Sequence, residues 1–213
     1  MPSISRRALD LFCGPGGASM GLHQAGFEVT GVDINPQPSY PFTFIQADAL
    51  EFPLDGYDLI WASPPCQAYS IANNIHGKDH PNLIAATRQR LQTAGTPYVI
   101  ENVPGAPLLA PSLLCGLTFG LNVKRHRLFE TTFLVLTPPC PPGHPGDWVS
   151  IFGNTVLERS PAIARTLNNG PVFRRKHLGT HIGRQAMNIH WMTRQELSQA
   201  IPPAYSHFIA SQL

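Results

Sequence analysis

Charged side chains are scarce in this chain. Its 213 residues include 15 Lys or Arg and 13 Asp or Glu, which is 13% of the chain and about half the share usual in globular proteins. Hydrophobic residues still make up 43%, so the composition excludes an intrinsically disordered chain. The net charge of +2 is too small to indicate a partner, and the distribution of charge matters more than its sum.

The sequence also lacks long apolar runs and closely spaced cysteines. No stretch approaches the roughly 18 apolar residues that suggest a membrane span. Asp10 interrupts the first apolar stretch, so no secretory signal is expected. No C-x-x-C pair occurs, which fits neither a disulfide framework nor a structural zinc site; the four cysteines are Cys13, Cys66, Cys115 and Cys140. We therefore expect a cytoplasmic protein with reduced thiols and no membrane partner.

The first 100 residues alternate short β-rich runs with helical segments, a pattern typical of parallel strands joined by crossover helices. The apolar composition of the runs suits burial on both faces of a sheet. We predict an α/β fold with a Rossmann-like sheet, forming one domain at residues 1–137. The predicted strands are residues 8–12, 28–33, 43–46, 58–62 and 98–101.

The character of the chain changes after residue 130. Residues 137–146 contain five prolines, and no clear period follows until about residue 185. Between residues 151 and 190 a single acidic residue, Glu158, accompanies six basic ones: Arg159, Arg165, Arg174, Arg175, Lys176 and Arg184. We predict a small, loop-rich, basic insertion at residues 138–185, with a flexible surface loop as the alternative. A C-terminal helical segment at residues 186–213 is predicted to pack back on the first domain.

A glycine-rich loop follows the first predicted strand. Residues 10–17 read Asp-Leu-Phe-Cys-Gly-Pro-Gly-Gly and precede a predicted helix, so a ligand can approach the backbone at the helix start. Asp33 and Asp48 follow the next two strands, at the edge where α/β sheets bind ligands. The loop holds no basic residue for a pyrophosphate, which disfavours a dinucleotide and favours S-adenosylmethionine. The alternative is a tight turn, with both carboxylates only capping helices.

Two further strand ends carry reactive groups. Cys66 follows two prolines that fix the backbone, and Glu101 ends the next strand. A thiol nucleophile beside a carboxyl that can supply a proton is the combination that activates a poorly nucleophilic aromatic ring. Arg125 and Arg127 are predicted to share one face of an extended segment, where they can grip phosphates or steady the thiolate. An inert cysteine, a solvated glutamate and a solvated basic patch are the alternatives.

These motifs resemble those of the cytosine carbon-5 DNA methyltransferases in their order and spacing. The resemblance covers roughly residues 6–131 and rests on residues 10–17, Pro-Pro-Cys-Gln at 64–67, Glu-Asn-Val at 101–103 and Arg-x-Arg at 125–127. The segment from Trp191 to Tyr205 is similar to compact cytosine methylases of phages and prophages. The resemblance implies that residues 1–137 form a catalytic domain that binds S-adenosylmethionine and that the insertion at residues 138–185 recognises the target. It also implies a prokaryotic or phage-infected host cell, with restriction-modification as the setting.

The resemblance further implies a DNA cytosine-5 methyltransferase that acts on double-stranded DNA without an obligatory protein partner. Cys66 then attacks carbon-6 of a flipped cytosine, and Glu101 protonates or hydrogen-bonds ring nitrogen-3. Carbon-5 of the covalent adduct takes the methyl group. Arg125 and Arg127 match substrate-steadying arginines. The matches to cofactor contacts are Phe12, Gly14, Pro15, Gly17, Asp33, Ile34, Asp48, Ala49 and Pro65. The expected DNA contacts are Gln67, Arg159, Arg165, Arg174, Arg175 and Lys176.

Two other functions stay open. A subgroup of this family uses the same cysteine and glutamate on a transfer RNA, and nothing in the motifs separates the two substrates. A catalytically idle nucleic-acid-binding protein of the same fold is the other alternative, against which intact Cys66, Gln67 and Glu101 argue. No metal site is expected, because Cys140 and His144 lack a second closely spaced ligand pair.

Overall fold

The computed structural model describes residues 5–66, 82–152, 155–159 and 178–213. Five predicted DNA contacts lie outside these ranges: Gln67, Arg165, Arg174, Arg175 and Lys176. Arg159 lies within them, but only its backbone is described.

One sheet dominates the fold. Within the described residues it contains seven strands: β1 (Arg6–Leu11), β2 (Phe27–Asp33), β3 (Thr43–Gln46), β4 (Leu59–Ala62), β5 (Tyr98–Asn102), β6 (Ser112–Leu114) and β7 (Arg127–Thr131). Their order is β3-β2-β1-β4-β5-β7-β6. The first five strands are parallel, and β7 runs antiparallel to β5 and β6. The predicted α/β sheet is confirmed: β4 at its centre is apolar and buried throughout, and β1 beside it is buried from Ala8 to Leu11.

Five α-helices accompany the strands within the described ranges. They are α1 (Gly17–Gln24), α2 (Ile84–Ala94), α3 (Thr180–Met187), α4 (Arg194–Gln199) and α5 (Pro203–Ala210). Helix α2 buries Ile84, Thr87 and Leu91 and ends at Gly95. A capping box begins α4, since the side chains of Thr193 and Glu196 each accept a hydrogen bond from the other residue's backbone N–H. No helix in the described chain is long and apolar enough to span a bilayer.

The C-terminal helix α5 lies directly on α1. A Cβ atom added to Gly21 would overlap the carbonyl oxygen of Pro203 and the hydroxyl of Ser206, so glycine permits this close approach. The Ser206 hydroxyl donates a hydrogen bond to the carbonyl of Ala18 at 2.8 Å. Because α1 begins at the glycine-rich loop, α5 supports the element that carries that loop.

The chain after β7 builds a second, smaller core. Strands β8 (Trp148–Phe152) and β9 (Thr155–Arg159) form an antiparallel hairpin. Val149, Ile151 and Val156 of the hairpin are buried against residues of α3 and α4, among them Met187 and Leu197. We call this unit the small lobe. It differs from the expectation of no regular period before residue 185, because the alternation of Val149 and Ile151 places both on one buried face.

Candidate active site

One cavity opens where β1, β2, β4 and β5 end. The following described residues from these four strand ends line it: Asp10, Phe12, Cys13, Asp33, Ile34, Ser63, Pro64, Pro65, Cys66, Glu101 and Val103. Ala200 and Ile201, between α4 and α5, close one side. Parallel strands thus deliver the predicted cofactor loop and the predicted reacting groups to one space, at the edge where such sheets bind ligands.

The glycine-rich loop has an unusual backbone. Phe12, Gly14 and Gly16 have positive φ angles of 58°, 49° and 85°, and a positive φ is uncommon for a side chain as large as phenylalanine. The carboxylate of Asp33 helps to hold this shape, because it accepts hydrogen bonds from the backbone N–H of Gly14 at 3.0 Å and of Asn35 at 2.9 Å. Strained loops of this kind occur where a ligand must be met by backbone.

A distant side chain also anchors the loop. The indole N–H of Trp191 donates a hydrogen bond to the carbonyl of Pro15 at 2.8 Å. Trp191 lies between α3 and α4, so the small lobe and the glycine-rich loop are joined directly. The sequence pointed to Trp191 only through its resemblance to compact methylases.

Asp10 is a candidate ligand-binding residue that the sequence did not single out. Its side chain is fully buried, and one carboxylate oxygen accepts a hydrogen bond from the Ser19 hydroxyl, which lies 2.6 Å from the hydroxyl of Tyr40. The other oxygen, Oδ1, has no partner among the described residues. Burial is the main cause that raises the pKa of Asp10 to about 7. An unpaired buried carboxylate oxygen is costly, so a ligand that donates to it gains affinity.

Most predicted cofactor positions line the cavity; those that do are Phe12, Gly14, Pro15, Gly17, Asp33, Ile34 and Pro65. Ile34 is 63% exposed there, which leaves an apolar surface open to a ligand. Asp48 and Ala49 are not among its described lining residues. Asp48 accepts a hydrogen bond from the N–H of Leu50 at 2.8 Å, and the carbonyl of Ala49 accepts one from Arg90 at 2.7 Å.

Cys66 lies at the cavity beside two charged residues of opposite sign. Its thiol is partly exposed, and its pKa is raised by burial and by the negative charge of Glu101. Arg127 opposes that shift. The positive charge expected near the thiol is therefore present, but burial and Glu101 outweigh it. In the free protein the thiol is mainly neutral near pH 7.

Glu101 is buried and paired. Its Oε1 lies 3.0 Å from Nε of Arg127, and burial raises the pKa of the carboxyl against the opposing effect of that arginine. A raised pKa makes the carboxyl a better proton carrier near neutral pH. The next residue, Asn102, donates a hydrogen bond to the carbonyl of Pro64 at 2.9 Å and so holds the Pro-Pro-Cys loop against β5.

The structure gives Arg125 and Arg127 different surroundings. Arg127 lines the cavity, whereas Arg125 is 5% exposed and is not among the described lining residues. The guanidinium of Arg125 donates hydrogen bonds to the carbonyls of Ile151 at 3.1 Å and Ser198 at 2.7 Å. Strand β7 begins only at Arg127, so the strand alternation on which the shared face was predicted does not reach Arg125. Arg125 instead connects the hairpin to α4.

The sequence has recognisable relatives. Residues 6–107 match the family described as C-5 cytosine-specific DNA methylase. A segment of 126 residues is 29% identical to the Type II methyltransferase M.AquIA of Picosynechococcus sp. and covers 48% of this chain and 50% of that protein. The match thus spans about half the length of the curated relative.

Solved structures of low sequence identity share the fold. A DNA modification methyltransferase encoded within a prophage of E. coli is 14% identical, with a TM-score of 0.60 over 97% of this chain and 98% of that chain. A mutant DNMT2 of Spodoptera frugiperda is 13% identical, with a TM-score of 0.61 over 95% and 98%. The methyltransferase EhMeth of Entamoeba histolytica is 13% identical, with a TM-score of 0.59 over 98% and 96%. These likenesses confirm the Rossmann-like methyltransferase fold.

Proposed function

We propose that this protein transfers a methyl group from S-adenosylmethionine to carbon-5 of a cytosine in double-stranded DNA, and the match of residues 6–107 to the C-5 cytosine-specific DNA methylase family supports this proposal. One observation carries the proposal. The glycine-rich loop, Asp33, Cys66, Glu101 and Arg127 all line the same cavity. A methyl donor and a pyrimidine held there are within reach of each other.

The residues of the cavity fit S-adenosylmethionine, which supplies an electrophilic methyl group on its sulfonium. The partnerless oxygen of Asp10 is suited to accept hydrogen bonds from the ammonium of the ligand. Asp33 stands at the strand end where a carboxylate accepts from ribose hydroxyls. The exposed side chain of Ile34 offers an apolar surface for the purine ring. The loop from Phe12 to Gly17 contains no Lys or Arg, as suits a ligand without a pyrophosphate.

The proposed chemistry uses the thiol and the carboxyl in turn. Cys66 as thiolate forms a bond to carbon-6 of a flipped cytosine, while Glu101 gives its proton to nitrogen-3, which makes carbon-5 nucleophilic. Carbon-5 then takes the methyl group. A base removes the proton from carbon-5, the bond between carbon-6 and sulfur breaks, and nitrogen-3 returns its proton to Glu101. The products are 5-methylcytosine, S-adenosylhomocysteine and the original enzyme.

Arg127 supports both groups in this proposal. It bonds Glu101 and lowers the pKa of Cys66, so it favours the thiolate that must attack. Extruding the cytosine from the duplex costs a few kcal/mol, and contacts with DNA phosphates must offset that cost. The basic residues of the predicted insertion, from Arg159 to Lys176, are proposed to make those contacts.

The test is bisulfite sequencing of plasmid DNA from a methylation-deficient host that expresses the wild type or Cys66→Ala. We expect methylated cytosines in a common sequence context with the wild type alone. Unmodified DNA together with methylated host RNA would overturn the DNA assignment in favour of the RNA enzyme. Neither product, with intact cofactor binding, would indicate a catalytically idle protein.

A covalent trap tests the nucleophile. Duplex DNA carrying 5-fluorocytosine at the methylated position retains fluorine where the proton must leave, so the enzyme is expected to stay attached and to migrate as a conjugate in a denaturing gel. Duplex with ordinary cytosine serves as the control. Equal trapping by Cys66→Ala would show that another residue is the nucleophile.

A further inference from the structure

Four metal-binding side chains meet outside the cavity. Cys115 precedes the 3-10 turn at Gly116–Phe119, His126 lies between Arg125 and Arg127, and Cys140 and His144 belong to the proline-rich segment. One ligand atom from each of Cys115, His126, Cys140 and His144 lies within 4.8 Å of all the others. Three segments that are separate in the sequence thus bring two sulfur and two imidazole nitrogen atoms close together.

The spacing of these atoms suits a tetrahedral ion. The Nε2 atoms of His126 and His144 are 2.9 Å apart, and Sγ of Cys140 lies 3.4 Å from the first and 3.3 Å from the second. Zinc bonds of about 2.3 Å to sulfur and about 2.05 Å to nitrogen place tetrahedral ligand atoms roughly 3.3–3.8 Å apart. The two distances from Cys140 fall in this range, and the distance between the imidazoles is about 0.4 Å shorter, so the two rings must move apart slightly to hold the ion. We propose that Cys115, His126, Cys140 and His144 form a Cys2His2 zinc site.

The local backbone is shaped to bring the last two ligands together. Pro141 accepts a hydrogen bond from the backbone N–H of His144 at 3.3 Å, which closes a turn between Cys140 and His144. Gly143 and His144 have φ angles of 68° and 50°. A left-handed histidine is uncommon and occurs where surrounding contacts impose it. The turn directs both side chains of this C-x-x-x-H segment to the same place.

The surroundings suit a closed structural site more than a catalytic one. Cys115 is 1% exposed, and both cysteines are free thiols in the structure. The ring of His144 packs edge-on against Trp148 at 6.5 Å, so the start of the hairpin covers one side. Two thiolates balance the charge of a zinc ion, and four protein ligands leave no position open for substrate. The site would therefore stabilise the fold.

The position of His126 gives this site a consequence that rests on the proposed function. Its neighbours are Arg125, which holds the hairpin, and Arg127, which pairs with Glu101 at 3.0 Å. An ion bound at His126 would fix the proline-rich segment to the start of β7. It would thereby position Arg127 in the cavity and the small lobe beside it, so His126 acts as a positioning residue for DNA binding.

The metal itself can be counted. Protein without a polyhistidine tag, grown with added zinc and dialysed against metal-free buffer, is expected to hold about one zinc ion per chain by mass spectrometry of the metal. The double variant Cys140→Ser, His144→Asn is expected to lose it. Cys66→Ser is the matched control, because it changes a partly exposed cysteine outside the cluster and should keep the zinc. A zinc-free wild type, or equal zinc in the double variant, would overturn the proposal.

A second measurement on the wild type covers the case in which the double variant does not fold. Cobalt(II) added to chelator-treated protein is expected to give the intense charge-transfer absorption of thiolate ligands. The extended X-ray absorption fine structure of the zinc-loaded protein should fit two sulfur and two nitrogen neighbours. A disulfide between Cys115 and Cys140 in peptides from unreduced protein would contradict the site. Zinc without methylation would refute only the proposed function, and methylation without zinc only the metal site.

Discussion

At the residue scale, Glu101 influences Cys66 in a direction that can be measured. Its charge raises the pKa of the thiol. We predict that Glu101→Gln, which removes the charge and keeps the size, lowers that pKa and speeds alkylation of Cys66 by iodoacetamide at neutral pH. Methyl transfer should nevertheless fall by about 10²- to 10⁴-fold, because nitrogen-3 loses its proton donor.

The two measurements are peptide mass spectrometry of Cys66 alkylation against pH and methyl transfer to duplex DNA. Buried Cys13, in the same digest, is the internal control and should react equally slowly in both proteins. Slower alkylation of Cys66 in Glu101→Gln would contradict the electrostatic account.

Asp10 gives the free protein and the ligand complex opposite dependences on pH. Burial raises its pKa from 3.8 to about 7, so the folded state binds this proton more tightly than the unfolded chain does. Its contribution to the stability of the free protein is full below about pH 4 and is lost as the pH rises through about 7. An ammonium bound at the partnerless oxygen needs the charged carboxylate.

We therefore predict that the affinity for S-adenosylmethionine rises up to about tenfold between about pH 6 and pH 7.5. Asp10→Asn should bind more weakly, with a flat profile, and should melt at a higher temperature than the wild type near pH 8. Calorimetric titration at several pH values measures this. Ile34→Ala is the control that loses affinity but keeps the slope, because Ile34 is uncharged, whereas the charge of Asp33 itself helps to raise the pKa of Asp10. An unchanged slope in Asp10→Asn would show that Asp10 does not meet the ammonium.

The sequence identified the residues that belong to compact motifs and missed those that only the fold assembles. Cys66, Glu101 and Asp33 stand directly at strand ends, so predicting the strands placed them at one edge. Cys115 and His126 come from different elements, and no spacing rule joined them to Cys140 and His144. Arg125 was given a role in the cavity, because the sequence did not show where β7 begins.

At the scale of elements, the contact between α1 and α5 depends on Gly21. We predict that Gly21→Ala lowers the free energy of unfolding by about 1–3 kcal/mol or more, since the new methyl group overlaps backbone of α5 and the helices must separate. Gly183→Ala in α3 is the matched control. Its Cβ would lie 3.1 Å from a side-chain atom of Val156 that can shift, so the higher helix propensity of alanine offsets much of the crowding.

Chemical denaturation of both variants measures the difference. Equal stability of Gly21→Ala and the wild type would mean that α5 does not pack on α1 as described. Gly21→Ala should also bind the cofactor more weakly than Gly183→Ala does, because α1 carries the glycine-rich loop.

Elements formed by regular apolar runs were predictable, whereas the small lobe was not. The five predicted strands have counterparts in the sheet because each is a short run rich in apolar or β-branched residues between turn residues. The hairpin of β8 and β9 is held by contacts with α3, α4 and Val123, and the last pairs with Val149 in an isolated bridge. Those partners are far away in the sequence, so local patterns at residues 148–159 did not reveal the hairpin.

At the scale of the whole molecule, charge is divided unequally. Basic residues are concentrated in the predicted insertion, although the net charge of the whole chain is only +2. We predict that Arg174→Gln, Arg175→Gln and Lys176→Gln together weaken duplex binding and reduce the slope of log affinity against log salt by about two to three, since each phosphate contact contributes about 0.9. Fluorescence anisotropy at several salt concentrations measures the slope.

Arg6→Gln is the control, because Arg6 begins β1 at the end of the sheet opposite the cavity. The salt slope of Arg6→Gln should match that of the wild type. The cofactor affinity of Arg6→Gln and of the triple variant should also match that of the wild type. An unchanged slope in the triple variant would remove these three residues from the DNA interface.

The pairing of α1 with α5 also sets an order of events in the cell. Ser206 and Ala18 bond each other across 188 residues, so a ribosome makes α1 long before the segment that covers it. Throughout translation the groove on α1 stays bare, and a message broken before the codon for residue 206 gives a product without that cover. Support of the glycine-rich loop by α5 is therefore possible only after the ribosome has passed the codon for residue 206.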